Sequence, residues 1–494
     1  MSRARTVLHW FRRDLRVADN TALSRAARDA ERVVPVFVLD DHYAEDPDEH
    51  VGPARFRFLR ECLEELEAAL PRAGGRLIVR RGPATRALPE LLRETGADAV
   101  YANAEIGPYP QERDRLVAEA VEAAGARLRL FPDALLVEPD AVATDAGEPY
   151  TVFTPFSRKW LAAEKRNPEP EPAALDTTEL PLRSIPLAAV RSWRSLREDP
   201  NPSTPRGGES AARDLLRRFF AVPDGGFQGS LAARYAEDRD RPALAGTSRL
   251  SPHLHFGTVS PRTVREAAER AWTGEERGRT GIERFVLELA WREFFHHVLF
   301  HFPRVARESF RAEIDALAWR DDAAASEALA AWKEGRTGYP LVDAAMRELS
   351  TTHWMHNRAR LVAASFLTKD LHVHWTRGEE WFEHELADAD LANNNGGWQW
   401  AAGSGTDAGP YFRIFSPVLQ SRRFDPEGAY IRRHVPELAR VPDHRIHEPW
   451  RMSAEEQSRA GCRIGAGADY PFPIVDHARE REVAIGMWKS KAVR

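Results

Sequence analysis

Four short segments of this chain combine residue types that could do chemistry. The most specific is Asp388-Ala389-Asp390-Leu391-Ala392-Asn393-Asn394-Asn395-Gly396-Gly397-Trp398-Gln399-Trp400. Its acids could accept hydrogen bonds from sugar hydroxyls or ring N–H groups, an Asn could face a ring nitrogen, and the two Trp could stack on planar groups. Three Asn and two Gly make poor helix and poor strand, and turn chemistry has no use for two Trp. A binding site is therefore expected here in preference to a polar loop. In Glu288-Leu289-Ala290-Trp291-Arg292-Glu293-Phe294, residues Glu288, Trp291 and Arg292 share one face of a helix. Together they could hold a flat, partly anionic ligand, or they could be an amphipathic helix with one Glu–Arg pair.

In His353-Trp354-Met355-His356-Asn357-Arg358-Ala359-Arg360-Leu361, residues Asn357, Arg360 and Leu361 share a helical face, and Arg358 points elsewhere, where it could meet a phosphate. Buried Asn and Arg need partners, which a polar ligand or a salt-bridge network would both supply. Gly246-Thr247-Ser248-Arg249-Leu250-Ser251 before Pro252 could hold a phosphate on backbone N–H groups at a helix start. Taken alone, it reads as a plain cap, with Ser251 at N-cap and Pro252 at the first helical position. No H-E-x-x-H, zinc-type Cys/His spacing or G-x-S-x-G elbow occurs, so no metal is expected.

The elements that must carry these residues fall into two halves. Apolar runs at Thr6–Trp10, Val33–Leu39, Leu77–Val79, Ala99–Tyr101 and Leu128–Phe131 alternate with helix-length segments such as the one bearing Phe56, Leu59, Leu63, Leu66 and Leu70. This predicts a doubly wound parallel sheet covered by helices over 1–132. No G-x-G-x-x-G follows the first strand. Prolines crowd into 133–206, which reads as a connector, part of it packed on a domain. From 207 to 494 helical periodicity dominates, predicting a large all-α domain. The 494 residues are 43% hydrophobic and carry a formal charge of -5, which allows well-buried cores and leaves only a local groove for nucleic acid. Cys62 and Cys462 form no disulfide framework. There is no signal-peptide pattern and no apolar run of membrane-spanning length, so a cytoplasmic monomer is expected.

In their shared order, these segments closely resemble the DNA photolyase/cryptochrome family, class I cyclobutane pyrimidine dimer photolyases in particular. The likeness also takes in Trp10-Phe11-Arg12-Arg13-Asp14-Leu15-Arg16, Asp19-Asn20, Gly335-Arg336-Thr337-Gly338-Tyr339-Pro340 and Tyr411-Phe412-Arg413-Ile414-Phe415, and so runs nearly end to end. It implies an N-terminal α/β antenna domain and a helical domain holding a bent FAD. Tyr235, Thr247, Ser248, Arg249, Leu250 and Ser251 match residues around the FAD phosphates. Arg292, Asn357, Arg360, Asp388, Ala389 and Asp390 match residues around the flavin and its sugar, and Asn394 the residue facing flavin N5. Glu288, Trp291, Asn357 and Trp400 match the residues that receive damaged bases, and Arg239 and Arg358 match DNA-backbone contacts. Trp319, Trp375 and Trp398 match electron-relay tryptophans, ordered from surface to flavin.

The implied function is light-dependent DNA repair, in which anionic reduced FAD gives an electron to a flipped-out cyclobutane pyrimidine dimer and the dimer splits. Arg55 and Glu105 resemble the deazaflavin-binding pattern and favour a deazaflavin antenna over methenyltetrahydrofolate, with His255 as a departure where deazaflavin binders tend to carry Lys. Two positions depart from the dimer-photolyase pattern: Leu361 replaces a common Met, and Leu287 replaces an amide. The alternatives are a cryptochrome-like blue-light sensor, against which the absence of a long C-terminal tail speaks, and a six-four photolyase, whose histidines are here Asn357 and Leu361. A third is a nucleotide-binding oxidoreductase built on the α/β half, which the missing Gly fingerprint disfavours.

Overall fold

The computed structural model describes residues 4–40, 52–172, 174–177, 180–190, 201–222, 226, 229–272, 276–407 and 414–492. Five strands, β1 (Ala4–Phe11), β2 (Ala30–Leu39), β3 (Ile78–Arg81), β4 (Ala99–Asn103) and β5 (Arg127–Phe131), form one parallel sheet in the order β3-β2-β1-β4-β5. The period-two alternation explains its double covering. Val7 and Phe11 of β1 and Val33 and Phe37 of β2 pack with the Thr21–Asp29 and Pro53–Ala69 helices. Leu8, Trp10, Val34 and Val36 pack on the other side with the Ala84–Thr95 and Pro108–Ala123 helices.

Beyond residue 207 the described elements are helices and short helical turns. The helix Glu276–His301 runs through this half, and its apolar side joins Phe285, Leu289, Phe294 and Val298 to one buried cluster. The described residues of the 133–206 segment are bound more firmly than a surface connector. Leu136, Val137, Phe153, Phe156 and Trp160 belong to the core of the helical half, whereas Leu175, Leu187 and Val190 belong to the sheet. The buried Glu293 carboxylate accepts hydrogen bonds from the Leu136 and Val137 N–H groups (2.5 and 3.1 Å) and from Trp160 Nε1 (2.6 Å).

The halves are also joined by a buried charge cluster. Arg262 Nε contacts Asp19 at 3.0 Å and its Nη2 contacts Asp133 at 2.6 Å, while Arg16 reaches Asp133 at 2.6 Å. Each charge has more than one partner, the condition under which buried ions are tolerated. The Gly335–Pro340 segment has a structural task. Asp343 accepts from Thr337 N, Thr337 Oγ1, Gly338 N and Tyr470 Oη, and Ile474 N donates to Thr337 O, so the segment anchors the C-terminal region.

Candidate functional site

The residues of all four segments meet at one cavity of about 490 Å³ in the helical half. Tyr235, Arg239, Thr247 to Ser251, Glu288, Trp291, Arg292, Asn357, Arg358, Arg360, Asp388, Asp390, Asn394, Trp398 and Trp400 all line it. Ala389 faces a different cavity, and Trp319 and Trp375 do not line this one.

The Asp388–Trp400 segment is helical, contrary to its propensity: Leu391–Ala402 forms an α-helix. Asp390 is its N-cap and accepts from Asn393 N at 3.1 Å, and Gly403 closes it in the left-handed conformation at φ 82°. The glycine at 396 answers a packing demand, since a Cβ there would lie 2.1 Å from the Phe295 ring. Tertiary contact thus outweighs the cost of helical Asn and Gly. The helix start at 246–251 also differs from a plain cap. Leu250, with no capping side chain, is the N-cap of the Ser251–Phe256 helix, and Ser251 Oγ instead accepts from Trp354 Nε1 at 3.3 Å. Arg249 takes a left-handed backbone, φ 55°, and lays its guanidinium over Trp354 at 4.2 Å.

The cavity walls are polar at fixed points. Arg360 donates to both Asp388 oxygens (3.0 and 2.8 Å) and to Met355 O (2.8 Å). Burial opposes ionisation of Asp390, but His296 Nε2 at 3.4 Å and His255 Nδ1 at 3.5 Å hold its carboxyl well below the usual carboxylate range. Asn394 Nδ2 donates to Glu379 O at 3.2 Å, which orients the amide. Burial pushes the Glu379 carboxyl up to about 8, despite a hydrogen bond from Asn395.

At the mouth, Glu288 is ion-paired with Arg239 and, at 3.1 Å, with Arg284. Arg358, read from sequence as pointing elsewhere than Asn357 and Arg360, lines the same cavity and pairs with Asp240 at 2.8 Å. The Trp291 indole stacks on Phe153 with centroids 3.6 Å apart and planes 8° apart. Arg292 turns away toward Ala134 O at 3.0 Å. Of the departing positions, Leu361 lines the cavity, whereas Leu287 packs against the hydrophobic core beside it.

The indole set runs outward from this cavity. Trp398 is buried and its Nε1 has no hydrogen-bond partner. Its ring fills the space that a Cβ at Gly378 would need, on the Trp375–Glu385 helix and one turn from Trp375. Trp375 is fully buried with Nε1 on Ser309 Oγ at 3.0 Å. His374 stands between Trp375 and Trp319, with centroids 5.7 and 5.2 Å away.

A second cavity, of about 310 Å³, lies between the sheet and the helical half. It brings Arg55 and Glu105 together with Trp10, Tyr109 and His255. Burial alone would raise Glu105, but Arg113 at 2.9 Å and Arg13 at 3.3 Å hold it ionised, far below its ordinary range. Arg55 pairs with Glu383 at 2.5 Å.

The main cavity falls in the size range of cofactor pockets. Its buried acids, hydroxyl-rich turn, indole walls and unpartnered Trp398 N–H fit a long, flat ligand with sugar hydroxyls and phosphates, as FAD is. Phe153, Glu379, Arg284 and Asp240 escaped the sequence reading. Phe153 sits in the loosely patterned connector, and the others look like ordinary surface or helix charges until the fold gathers them. Tyr411-Phe412-Arg413 lie outside the described residues. Among the described residues no group of three His, Cys, Asp or Glu is placed to hold a metal, and no helix is long and apolar enough to cross a membrane.

Two family models match: DNA photolyase over residues 7–174, and the FAD binding domain of DNA photolyase over residues 285–490. A deoxyribodipyrimidine photo-lyase of Halobacterium salinarum is 42% identical over 98% of this chain and 98% of its own length. The crystal structure of a class III photolyase from Agrobacterium tumefaciens superposes with a TM-score of 0.90 and 37% identity, covering 100% of this chain and 99% of its own. An archaeal photolyase from Sulfolobus tokodaii, solved with two FAD molecules, matches at TM-score 0.80 and 31% identity over 98% of this chain and 100% of its own.

Proposed function

This chain belongs to the DNA photolyase family, and from that membership we infer a light-driven DNA-repair lyase whose 490 Å³ cavity holds FAD and receives a cyclobutane pyrimidine dimer. One observation carries the assignment. The flavin-type residues Asp388, Asp390, Asn394 and Trp398 and the lesion-type residues Glu288, Trp291, Asn357 and Trp400 line the same cavity. Cofactor and dimer would therefore share one space.

When bound in its anionic reduced form and excited by light, FAD supplies the electron that splits the dimer. The residues supply everything else. Tyr235 and Thr247 to Ser251, which line the cavity, hold the phosphates. Asp388, fixed by Arg360, and Asp390, kept ionised by His296 and His255, are acceptors for sugar and ring N–H groups. Asn394 presents its amide where Glu379 O has oriented it.

Photolyases flip their target nucleotide out of the duplex, and a dimer is already poorly stacked, which lowers the cost. Trp291 and Trp400 offer apolar walls, and Glu288 offers a carboxylate for the base edge once it turns from Arg239. Arg239 and Arg358 are the backbone contacts. Trp398, Trp375 and Trp319 form the path by which an outside electron restores the reduced cofactor. Leu287 lies off the cavity, so the missing amide there removes no lining group, which supports repair over a sensory role.

The second cavity we assign to a flavin-shaped antenna, a deazaflavin in preference to methenyltetrahydrofolate. Arg55, Glu105 and Trp10 there suit a planar polar tricycle, and the Sulfolobus relative carries two FAD molecules. A cytoplasmic monomer acting on DNA completes the reading.

The test is an absorption spectrum of the purified protein followed by blue-light repair of dimer-containing DNA. The reading expects flavin bands and light-dependent loss of dimers. A chain that takes up no flavin sinks it, and dimer binding without splitting gives the sensor instead.

A further inference from the structure

The mouth of the main cavity carries an unbroken series of alternating charges. Arg284 Nη2 is 3.1 Å from Glu288, Glu288 is paired with Arg239, Arg239 Nε is 3.8 Å from Asp240, and Asp240 accepts from Arg358 Nη2 at 2.8 Å. Arg284, Glu288, Arg239 and Arg358 all line the cavity, and Asp240 joins the last two from outside it. Phe424 backs Arg358, its ring centroid 4.3 Å from the guanidinium.

Two guanidinium groups at a cavity mouth would grip the phosphates of any DNA, damaged or not, because backbone contacts carry no sequence information. An acid held among them changes this. In undamaged DNA nothing engages Glu288, so Arg239 stays with Glu288. For Arg358 to reach a phosphate it must then leave Asp240 with only Arg239, which stands 3.8 Å away through Nε and is already engaged by Glu288. When a dimer enters and takes Glu288, Arg239 Nη1 is released, so its guanidinium can close on Asp240 through Nε while its Nη groups face the backbone, with Arg284 still beside Glu288. Arg358 is then free for phosphate at no loss to Asp240.

We propose that Asp240 is a specificity-determining residue, which ties the grip of Arg358 on the DNA backbone to the occupation of Glu288 by damaged bases. This rests on the reading of Glu288 as the lesion contact and Arg358 as a backbone contact. Specificity then arises as a difference between two complexes, with the penalty placed on the wrong one.

The experiment measures the affinity of the flavin-loaded protein for duplexes with and without one cyclobutane dimer, across a salt series. Asp240→Asn should strengthen binding to undamaged DNA by about threefold to fivefold, the upper scale of losing one partly exposed ion pair that competes with phosphate. Dimer-containing DNA should change by less than about twofold, so discrimination falls by nearly the whole factor. Asp240→Ala should do the same, and unchanged flavin content in both variants excludes misfolding. Glu237→Gln, three residues earlier with the same loss of charge, should leave discrimination intact. Equal gains on both duplexes, or no gain on either, would overturn the proposal. If Arg358→Gln leaves dimer binding unchanged, the backbone-contact reading fails and the proposal with it. If Arg358→Gln weakens binding while Asp240→Asn leaves discrimination intact, only the proposal fails.

Discussion

Phe153 and Trp291 lie face to face, 3.6 Å between centroids and 8° between planes, although they come from the connector and from the central helix of the catalytic half. Trp291 lines the cavity and Phe153 supports it from behind. In the proposed function Trp291 is a wall for a flat dimer, and such a wall is only as well placed as whatever holds it.

Phe153→Ala should therefore weaken binding of dimer-containing DNA by about tenfold, the scale of one lost aromatic contact of ~1.4 kcal/mol. Affinity for undamaged DNA should hold, since it depends on backbone charges. Phe153→Tyr should restore most of the loss. Titrations with both duplexes on flavin-loaded protein decide this, and equal losses on both would show that Phe153 acts only on global stability.

Trp398→Phe and Trp375→Phe should each slow photoreduction of the oxidised cofactor by at least about an order of magnitude, because a harder oxidation adds to the barrier and ~1.4 kcal/mol is a factor of ten. Repair by protein reduced chemically beforehand should be unaffected. Flash absorption and a dimer-repair assay read the two separately. Loss of repair in pre-reduced protein would place these residues in the lesion chemistry instead.

Glu293→Ala removes the acceptor of two backbone N–H groups and of Trp160 Nε1, all buried. At about 1–3 kcal/mol for each unsatisfied buried group, a loss of at least about 3 kcal/mol is expected. Glu293→Gln should recover part of it. Denaturant unfolding followed by flavin release is the measurement.

Burial raises the Glu379 carboxyl to about 8 in the folded chain, against an ordinary value near 4.5. Folded protein thus binds this proton more tightly than unfolded protein does. Stability from this group is fully present below pH about 4.5, declines as pH rises, and is gone above about 8. Glu379→Gln should flatten that part of the stability profile, and thermal unfolding of flavin-loaded protein between pH 5 and 9 would show it. An unchanged slope would show that the Glu379 proton does not contribute to this part of the profile.

The alternation of apolar runs with helix-length segments was enough to read the five strands and their order in the chain, because the inner parallel strands are covered on both sides and must be apolar there, while the edge strand β5 keeps exposed Arg127 and Arg129. The residues of the main cavity were legible for a related reason: two indoles and three consecutive Asn amides in the Asp388–Trp400 segment are more than a turn or a cap can use, although Asp390 does serve as a cap. That same logic misjudged its conformation. Asn and Gly argue against helix only when the backbone is left to itself, and here Asp390 capping and the Phe295 ring against Gly396 decide otherwise.

Residue types, their order and the chemistry they permit were thus set by sequence alone, since each depends on the side chain or its near neighbours. Partnership was decided only by the tertiary structure. Glu288 and Arg239 are 49 positions apart, Asp240 and Arg358 are 118 apart, and Phe153 reaches Trp291 from another segment altogether. Charge pairing and ring stacking act over a few ångströms of space, a distance that chain order does not encode until the fold has closed.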